Sequence, residues 1–567
     1  MPARKADSVA TAYLGLLAER GVEYLFGNAG TDFAPIIEAY AEAEQKGMRV
    51  PKPILATHEN LAVTMAHGYA MVSRRIPAVM VHVSVGTANM VCAAMNAARE
   101  NVAILLTAGR SPITEGGLLG SRDGYIHWAQ EMYDQAGMLR ELVKWDYELR
   151  NAEQLETVVD RALSIAGTEP RGPVYLSLPR EVLAVQARSS RPTPTRLRAA
   201  APAAPDREAV AAAAKMIAAA RNPLILTASA GRDPAAFHAL AQFTDRFAVP
   251  LAQFHPRYLS LPSSHPMNLG YDPTSLVADA DLILAMEIDV PWIPDHVVPR
   301  EGCRVIQCGF DPLFTHIPIR GFACDLGITG STATILEALT DALTGQIAEA
   351  AAAKRRSRLV RQRAALAAEW RKTCDRVSTR SPIHPAWVSH CLDRAKDPRA
   401  IVVNEYTLRL THCGFEHPDS YFGSSSASGL GWGTGAALGA KLAAPERPVV
   451  AVVGDGAYLF SNPAAVHHAA ALHELPVLFI VMNNAMWNAV RHFTNAMYPG
   501  GRASKRNESP FTRLDRLPAF EQFCIAAGGY GERVDDPAVL PDALERAMAV
   551  VVREKRQALL NVICSPD

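Results

Sequence analysis

The chain has 567 residues, of which 49% are hydrophobic, and its 57 Lys+Arg balance its 57 Asp+Glu to a formal net charge of +0. That length exceeds one hydrophobic core and implies roughly two to four domains. The balanced charge excludes a global field for nucleic acid or an anionic membrane, and no window approaches the ~20 apolar residues that cross a bilayer. The nine cysteines form no CxxC pair, so reduced thiols are expected rather than a disulfide framework. The N-terminal MPARKADSVATAYLGLLAERGVEYLF lacks a long apolar run. It reads as an amphipathic helix entering a strand, not as a signal peptide, and a soluble cytoplasmic protein is the expectation.

The first region, 1–185, alternates short apolar runs with helical stretches. VEYLFG (22–27) reads as a strand and turn, 33–44 as a helix, PILAT (53–57) as a strand, and His58 enters a helix through Ser73. AVMVHVS (78–84) reads as a strand, 87–99 as a small-residue helix, VAILLTAG (102–109) and PVYLSLP (173–179) as further strands. Continuous apolar strands separated by helices predict a parallel sheet covered on both faces. The Pro-, Ala- and Arg-rich 181–205 is a linker. In the second region, 208–345, the strands are NPLILTASA (222–230), DLILAMEI (281–288) and CRVIQCG (303–309). The basic run within 344–379 reads as a solvated helical face between domains. The third region, 380–567, holds AIVVNE (400–405), a glycine-rich turn and helix at 424–443, PVVAVVGDG (448–456), VLFIVMNN (477–484) and ALLNVIC (558–564). The predicted fold class is therefore α/β, with three domains, each a mostly parallel sheet flanked by helices.

Chemistry concentrates at Gly454-Asp455-Gly456 and Asn483-Asn484, each closing a predicted strand. Ligands bind outside the carboxyl ends of strands in open α/β sheets. The 26 residues between Gly456 and Asn483 suffice for one βαβ return. Asp455 and Asn484 can then meet on one ion, and a carboxylate, an amide oxygen and phosphate oxygens suit Mg²⁺. The glycines allow a diphosphate close to the backbone.

On the GDG…NN spacing the chain resembles the thiamine diphosphate enzyme superfamily, in the branch of acetolactate synthase, benzoylformate decarboxylase and pyruvate decarboxylase. The resemblance spans essentially the whole chain, in the order pyrimidine-binding, central and diphosphate-binding domains. It implies thiamine diphosphate and Mg²⁺ as cofactors. Asp455, Asn484 and the Met486 carbonyl would bind the metal, with Gly454, Gly456 and Ala457 near the diphosphate and Thr407 as a further contact. In ILATHENLAVTMAHGYA, Glu59 takes the place of the glutamate that hydrogen-bonds the aminopyrimidine. In GLGWGTGAALGA, Leu430 takes the wedge position between the cofactor rings, and the Ser428 carbonyl would accept from the exocyclic amine. Asn28 and Gly30 of FGNAG match the first-domain loop near the substrate, and His127 and Gln130 of YIHWAQE match a substrate-side segment. The resemblance places Glu59 and the GDG motif on different subunits, which implies a homodimer or homotetramer acting on a small-molecule substrate.

Three departures mark this chain. Thr434-Gly435 replaces the frequent Leu-Pro, Ser84-Val85-Gly86-Thr87 replaces a Gly-Pro-Gly turn, and Val490 stands where pyruvate decarboxylases carry glutamate. The expected function is a thiamine diphosphate- and Mg²⁺-dependent lyase, decarboxylase or carboligase on 2-oxo acids. The alternatives are a 2-hydroxyacyl-CoA lyase of the same superfamily and a catalytically silent relative. The basic 491–516 segment reads as a mobile cover or a solvated loop. The central domain leaves FAD or a nucleotide open, since Asp311 in CGFDP serves a structural role equally well.

Overall fold

The computed structural model describes residues 7–187, 197–506 and 510–566. Residues 188–196 of the expected linker, 507–509 of the basic 491–516 segment, and both chain ends (1–6 and 567) lie outside the described residues. Three sheets form along the chain, and every pairing between named strands is parallel.

The first sheet contains β1 (Tyr24–Gly27), β2 (Lys52–Leu55), β3 (Ala78–Val81), β4 (Leu105–Arg110), β5 (Asp146–Glu148) and β6 (Val174–Pro179), in the order β2-β1-β3-β4-β6-β5. The second contains β7 (Pro223–Thr227), β8 (Leu251–Gln253), β9 (Leu282–Met286), β10 (Arg304–Gly309) and β11 (Leu326–Thr329), in the order β11-β10-β9-β7-β8. The third contains β12 (Ile401–Glu405), β13 (Tyr421–Gly423), β14 (Val449–Gly454), β15 (Val477–Asn483), β16 (Tyr530–Val534) and β17 (Ala558–Ile563), in the order β13-β12-β14-β15-β17-β16. All four residues of β3 and all seven of β15 are buried, as strands covered on both faces require. The three α/β layers expected from the apolar runs are present.

Each sheet reverses its strand order beside its first strand, between β1 and β3, between β7 and β9, and between β12 and β14. Such switch points open a crevice at the carboxyl edge. Register decides what stands there. Gly27 pairs with Met80, so Asn28 and His82 leave β1 and β3 side by side. Gly454 pairs with Met482, so Asp455 and Asn484 leave β14 and β15 on one edge.

The first and third regions meet through the helices Glu59–Ser73 and Trp432–Ala443. Glycines set their approach: a Cβ on Gly68 would fall 2.0 Å from the Ala436 carbonyl oxygen, and one on Gly439 would fall 1.8 Å from that of Met65. The helix starting at Glu59 is therefore locked, backbone on backbone, to the helix that follows Leu430.

Two sequence expectations are corrected. The strand expected over 78–84 stops at Val81, and its helix begins at Val83, not residue 87. Val83 turns the chain at φ +32°, and the Gly86 N–H closes the first turn on the His82 carbonyl at 2.7 Å. Five strands, β5, β8, β11, β13 and β16, were not expected; all are sheet edges of three to five residues, too short to show an apolar run. The basic connector is one helix, Glu349–Val377, with Leu359, Cys374 and Val377 its buried residues. Among the described residues, no helix is long and apolar enough to cross a membrane.

Candidate functional site

At the carboxyl edge of the third sheet lies a cleft of about 1050 Å³. Among the residues that line it are Thr407, Ser428, Leu430, Gly454, Asp455, Gly456, Ala457, Asn484 and Met486. These nine residues were singled out from four separate stretches of sequence, and the fold brings all of them to one cavity.

The oxygens in this cleft are unevenly satisfied. Asp455 Oδ1 accepts from the Gly456 N–H at 2.8 Å, and Asn484 Oδ1 from the Met486 N–H at 3.0 Å. Asp455 Oδ2 and Thr407 Oγ1 are buried and meet no hydrogen-bond partner. Leaving one such group unsatisfied costs about 1–3 kcal/mol, and more for a charged one. Burial pushes the Asp455 carboxyl above its usual range, against the backbone N–H groups around it. A divalent cation held by Asp455, with a phosphorylated ligand beside Thr407, would remove both penalties. Among the described residues, no group of three or more His, Cys, Asp or Glu is placed for a metal. The donor set here is instead one carboxylate, one amide and a carbonyl, which leaves positions for a phosphorylated ligand. Gly456 is needed for packing: a Cβ there would lie 2.2 Å from the Trp487 ring.

Leu430 is held from both sides. Asn96, 2% exposed, donates from Nδ2 to the Gly429 carbonyl at 2.8 Å and accepts from the Gly429 N–H at 3.0 Å. Glu405, at the end of β12, accepts from the Gly431 N–H at 2.8 Å and the Gly433 N–H at 2.7 Å. Burial pushes the Glu405 carboxyl up to about 7, and the backbone N–H groups oppose that rise. The first domain and β12 thus fix the turn between them.

The edge of the first sheet is a second cluster. Glu59 opens its helix and is 7% exposed; Asn28 and Asn89 donate to its two oxygens, each at 2.9 Å. His82 follows β3, with Nδ1 2.5 Å from Asp32 Oδ1 and Nε2 3.2 Å from Gln130 Nε2. Gly30 lies against the His82 ring. Of the sequence candidates, Glu59, Asn28, Gly30 and Gln130 gather here. His127 does not join them: it is buried, and its Nδ1 accepts from the Asp123 and Gly124 N–H groups of its own loop, both at 3.2 Å. Burial pushes its imidazole below the ordinary value. None of the Glu59 cluster lines the Asp455 cleft of the same chain.

Sequence reasoning missed His82, Asp32 and Asn89. His82 sits inside what reads as an uninterrupted strand, AVMVHVS. The available signal was topological: it is the residue directly after β3, at the sheet's switch point. The equivalent edge of the second sheet is closed by charges, one of them from the first region. Arg257 pairs with Asp289 at 3.0 Å and with Glu100 at 3.2 Å, and the Phe310 N–H donates to Glu287 at 2.8 Å. Asp311 caps its own turn, accepting from the Thr315 N–H at 2.7 Å.

Sequence comparison adds an independent line. The family described as thiamine pyrophosphate enzyme, N-terminal TPP binding domain, matches residues 7–138. The family described as thiamine pyrophosphate enzyme, C-terminal TPP binding domain, matches residues 405–562. A benzoylformate decarboxylase of Pseudomonas aeruginosa is 27% identical over 98% of each chain. A probable 2-ketoarginine decarboxylase of the same organism is 29% identical over 96% of this chain and 92% of its own. The solved thiamine diphosphate-dependent 4-hydroxybenzoylformate decarboxylase of Rhodococcus jostii RHA1 has a TM-score of 0.77 at 21% identity, over 99% of both chains. At that identity the likeness is one of fold.

Proposed function

Because the chain belongs to the thiamine pyrophosphate enzyme family, we propose that it is a Mg²⁺-requiring decarboxylase of 2-oxo acids with an apolar side chain. The observation that carries this reading is the pair of buried, unpartnered oxygens, Asp455 Oδ2 and Thr407 Oγ1, in the cleft beside Asn484. Asp455, Asn484 and the Met486 carbonyl would hold the ion. Thr407 and the Gly454 and Gly456 backbone would stand beside the diphosphate, and Leu430 between the two rings, with the Ser428 carbonyl toward the exocyclic amine. When bound, the cofactor supplies a nucleophilic thiazolium carbon and an electron sink for the carbon–carbon bond that breaks.

The chain's own residues do the rest. Glu59 would share a proton with the aminopyrimidine nitrogen, and Asn28 and Asn89 keep its carboxylate in place. Since the Glu59 cluster does not line the Asp455 cleft of its own chain, a second subunit would supply it, making the functional unit a homodimer or a dimer of dimers. Gln130 and His82 would then face the substrate from the Glu59 side. On the cleft side, Met482, Met486, Trp487, Val490 and Phe493 present an apolar wall. Such a wall favours an aryl or branched side chain over the methyl group of pyruvate. The similarity to a benzoylformate decarboxylase agrees with it.

The test is carbon dioxide release from benzoylformate, pyruvate and 2-ketoarginine, with thiamine diphosphate and Mg²⁺ added. Faster release from benzoylformate than from pyruvate is expected. No release from any 2-oxo acid, or cleavage of a 2-hydroxyacyl-CoA ester instead, overturns the assignment.

A further inference from the structure

Behind His82 lies Asp32, which has no part in the roles assigned above. Asp32 lies in the short turn Thr31–Phe33 after β1, and His82 directly after β3. The pair therefore sits at the switch point of the first sheet. Asp32 is 2% exposed. Its Oδ1 meets His82 Nδ1 at 2.5 Å, and its Oδ2 accepts from the Val83 N–H at 3.4 Å. Two glycines, Gly30 in the loop after β1 and Gly109 near the end of β4, clear the space. A Cβ on Gly30 would fall 2.1 Å from the His82 ring, and one on Gly109 would fall 1.7 Å from Asp32 Oδ2. A carboxylate buried against an imidazole in this way fixes one tautomer, with the proton on Nδ1.

The other ring nitrogen faces Gln130. His82 Nε2 lies 3.2 Å from Gln130 Nε2, while Gln130 Oε1 is buried without a partner. As placed, the amide donates to the lone pair of a neutral ring. Turned over, it presents Oε1 to the Nε2–H of a charged ring. One glutamine thus serves both protonation states of His82, provided that Nδ1 stays committed to Asp32. The other titratable groups whose charge reaches this ring are Glu59 and His127. Glu59 is held by Asn28 and Asn89, and His127 by its own loop.

We propose that Asp32 is a positioning residue: it holds the His82 proton on Nδ1 and keeps Nε2 as the atom through which this half of the site exchanges protons with a 2-oxo acid. In the forward direction Nε2 gives its proton to the substrate carbonyl oxygen as that carbon is attacked. The ring becomes neutral, and it recovers the proton when the carbonyl re-forms. The Nδ1 proton remains with Asp32 throughout. This role rests on the function proposed above; the titration of His82 does not.

The test therefore starts with the cofactor-free protein. Diethyl pyrocarbonate acylates only the neutral imidazole, so the rate of His82 modification against pH, read by peptide mass spectrometry, gives its titration midpoint. Asp32 raises that midpoint above the ordinary 6.5. The isosteric Asp32→Asn should lower it by about one pH unit or more, with Asp32→Glu restoring part of the shift. A midpoint unchanged in Asp32→Asn overturns the proposal. In the loaded enzyme, Asp32→Asn should lower kcat on the best 2-oxo acid of the panel by roughly tenfold to a hundredfold, with thiamine diphosphate affinity unchanged. Added to His82→Ala, it should cause no further loss. Equal losses with and without His82 would show that Asp32 acts elsewhere and would also overturn it. If the wild type fails to bind thiamine diphosphate, the functional assignment falls, and the modification curve still decides the Asp32–His82 pair.

Discussion

At the carboxyl edge of the first sheet both Glu59 oxygens are occupied, by Asn28 and by Asn89. At the carboxyl edge of the third sheet one Asp455 oxygen faces the cleft with nothing on it. The two edges come from sheets of matching order, each with its functional residues at the switch point beside its first strand. They differ in what completes them. Asparagine amides finish the first edge from within the chain and hold the Glu59 carboxylate in place. The third edge is left with buried oxygens that lack a partner within the chain, as a site completed by a cation and its ligands would be. A pre-organised edge and an incomplete edge are what a cofactor with a reactive head and a charged tail requires. The second sheet, whose edge is neutralised by Arg257 between Glu100 and Asp289, shows a third outcome, an edge spent on holding domains together.

Three substitutions probe this contrast. The largest effect is expected from Glu59→Gln, which keeps the shape of the first edge and removes its charge. Hydrogen exchange at the cofactor C2 position, followed by quenched-flow NMR, should slow by about 10²–10⁴-fold, with calorimetric binding largely intact. Exchange at the wild-type rate would remove Glu59 from the site. A smaller loss is expected from Gly456→Ala at the third edge. Its Cβ must push the Trp487 ring, 2.2 Å away, at a cost of about 1–3 kcal/mol. Thiamine diphosphate affinity should fall at least several-fold while Glu59-side chemistry in the saturated enzyme is retained. A variant that binds as tightly as wild type would show that the third edge is not built to that tolerance.

The smallest effect concerns Glu405 behind the Leu430 turn. Its folded pKa of about 7 lies above the ordinary 4.5, so between those values the folded chain holds a proton that the unfolded chain releases. The stability this provides is complete below about 4.5 and lost as pH rises through about 7. Urea unfolding of wild type and Glu405→Gln should therefore show a stability difference that changes across that window and levels off above it. A difference independent of pH would mean that Glu405 is ionised throughout.

The third edge was legible because its motifs close long apolar strands. Gly454 to Gly456 ends PVVAVVGDG, and Asn484 ends VLFIVMNN; chain polarity alone then sets both groups on one side. The first edge was half legible. Glu59 was found through the segment around it, yet its partners Asn28 and Asn89 lie 31 and 30 positions away, and no local pattern connects them. His82 was hidden by its neighbours, because valine on both sides reads as more strand. The turn that frees it depends on positive φ at Val83, a β-branched residue that rarely adopts it. Edge strands such as β13, three residues long, carry too little apolar surface to register.

Most directly decisive is a calorimetric titration of thiamine diphosphate into the intact protein with Mg²⁺ and, in parallel, with a chelator, for wild type and for Asp455→Ala. Saturable binding by wild type that needs the metal, and its loss in Asp455→Ala, is the expected result. Absence of binding by wild type, or equal binding by both proteins without Mg²⁺, would contradict a cofactor site completed by metal at the open edge of the third sheet.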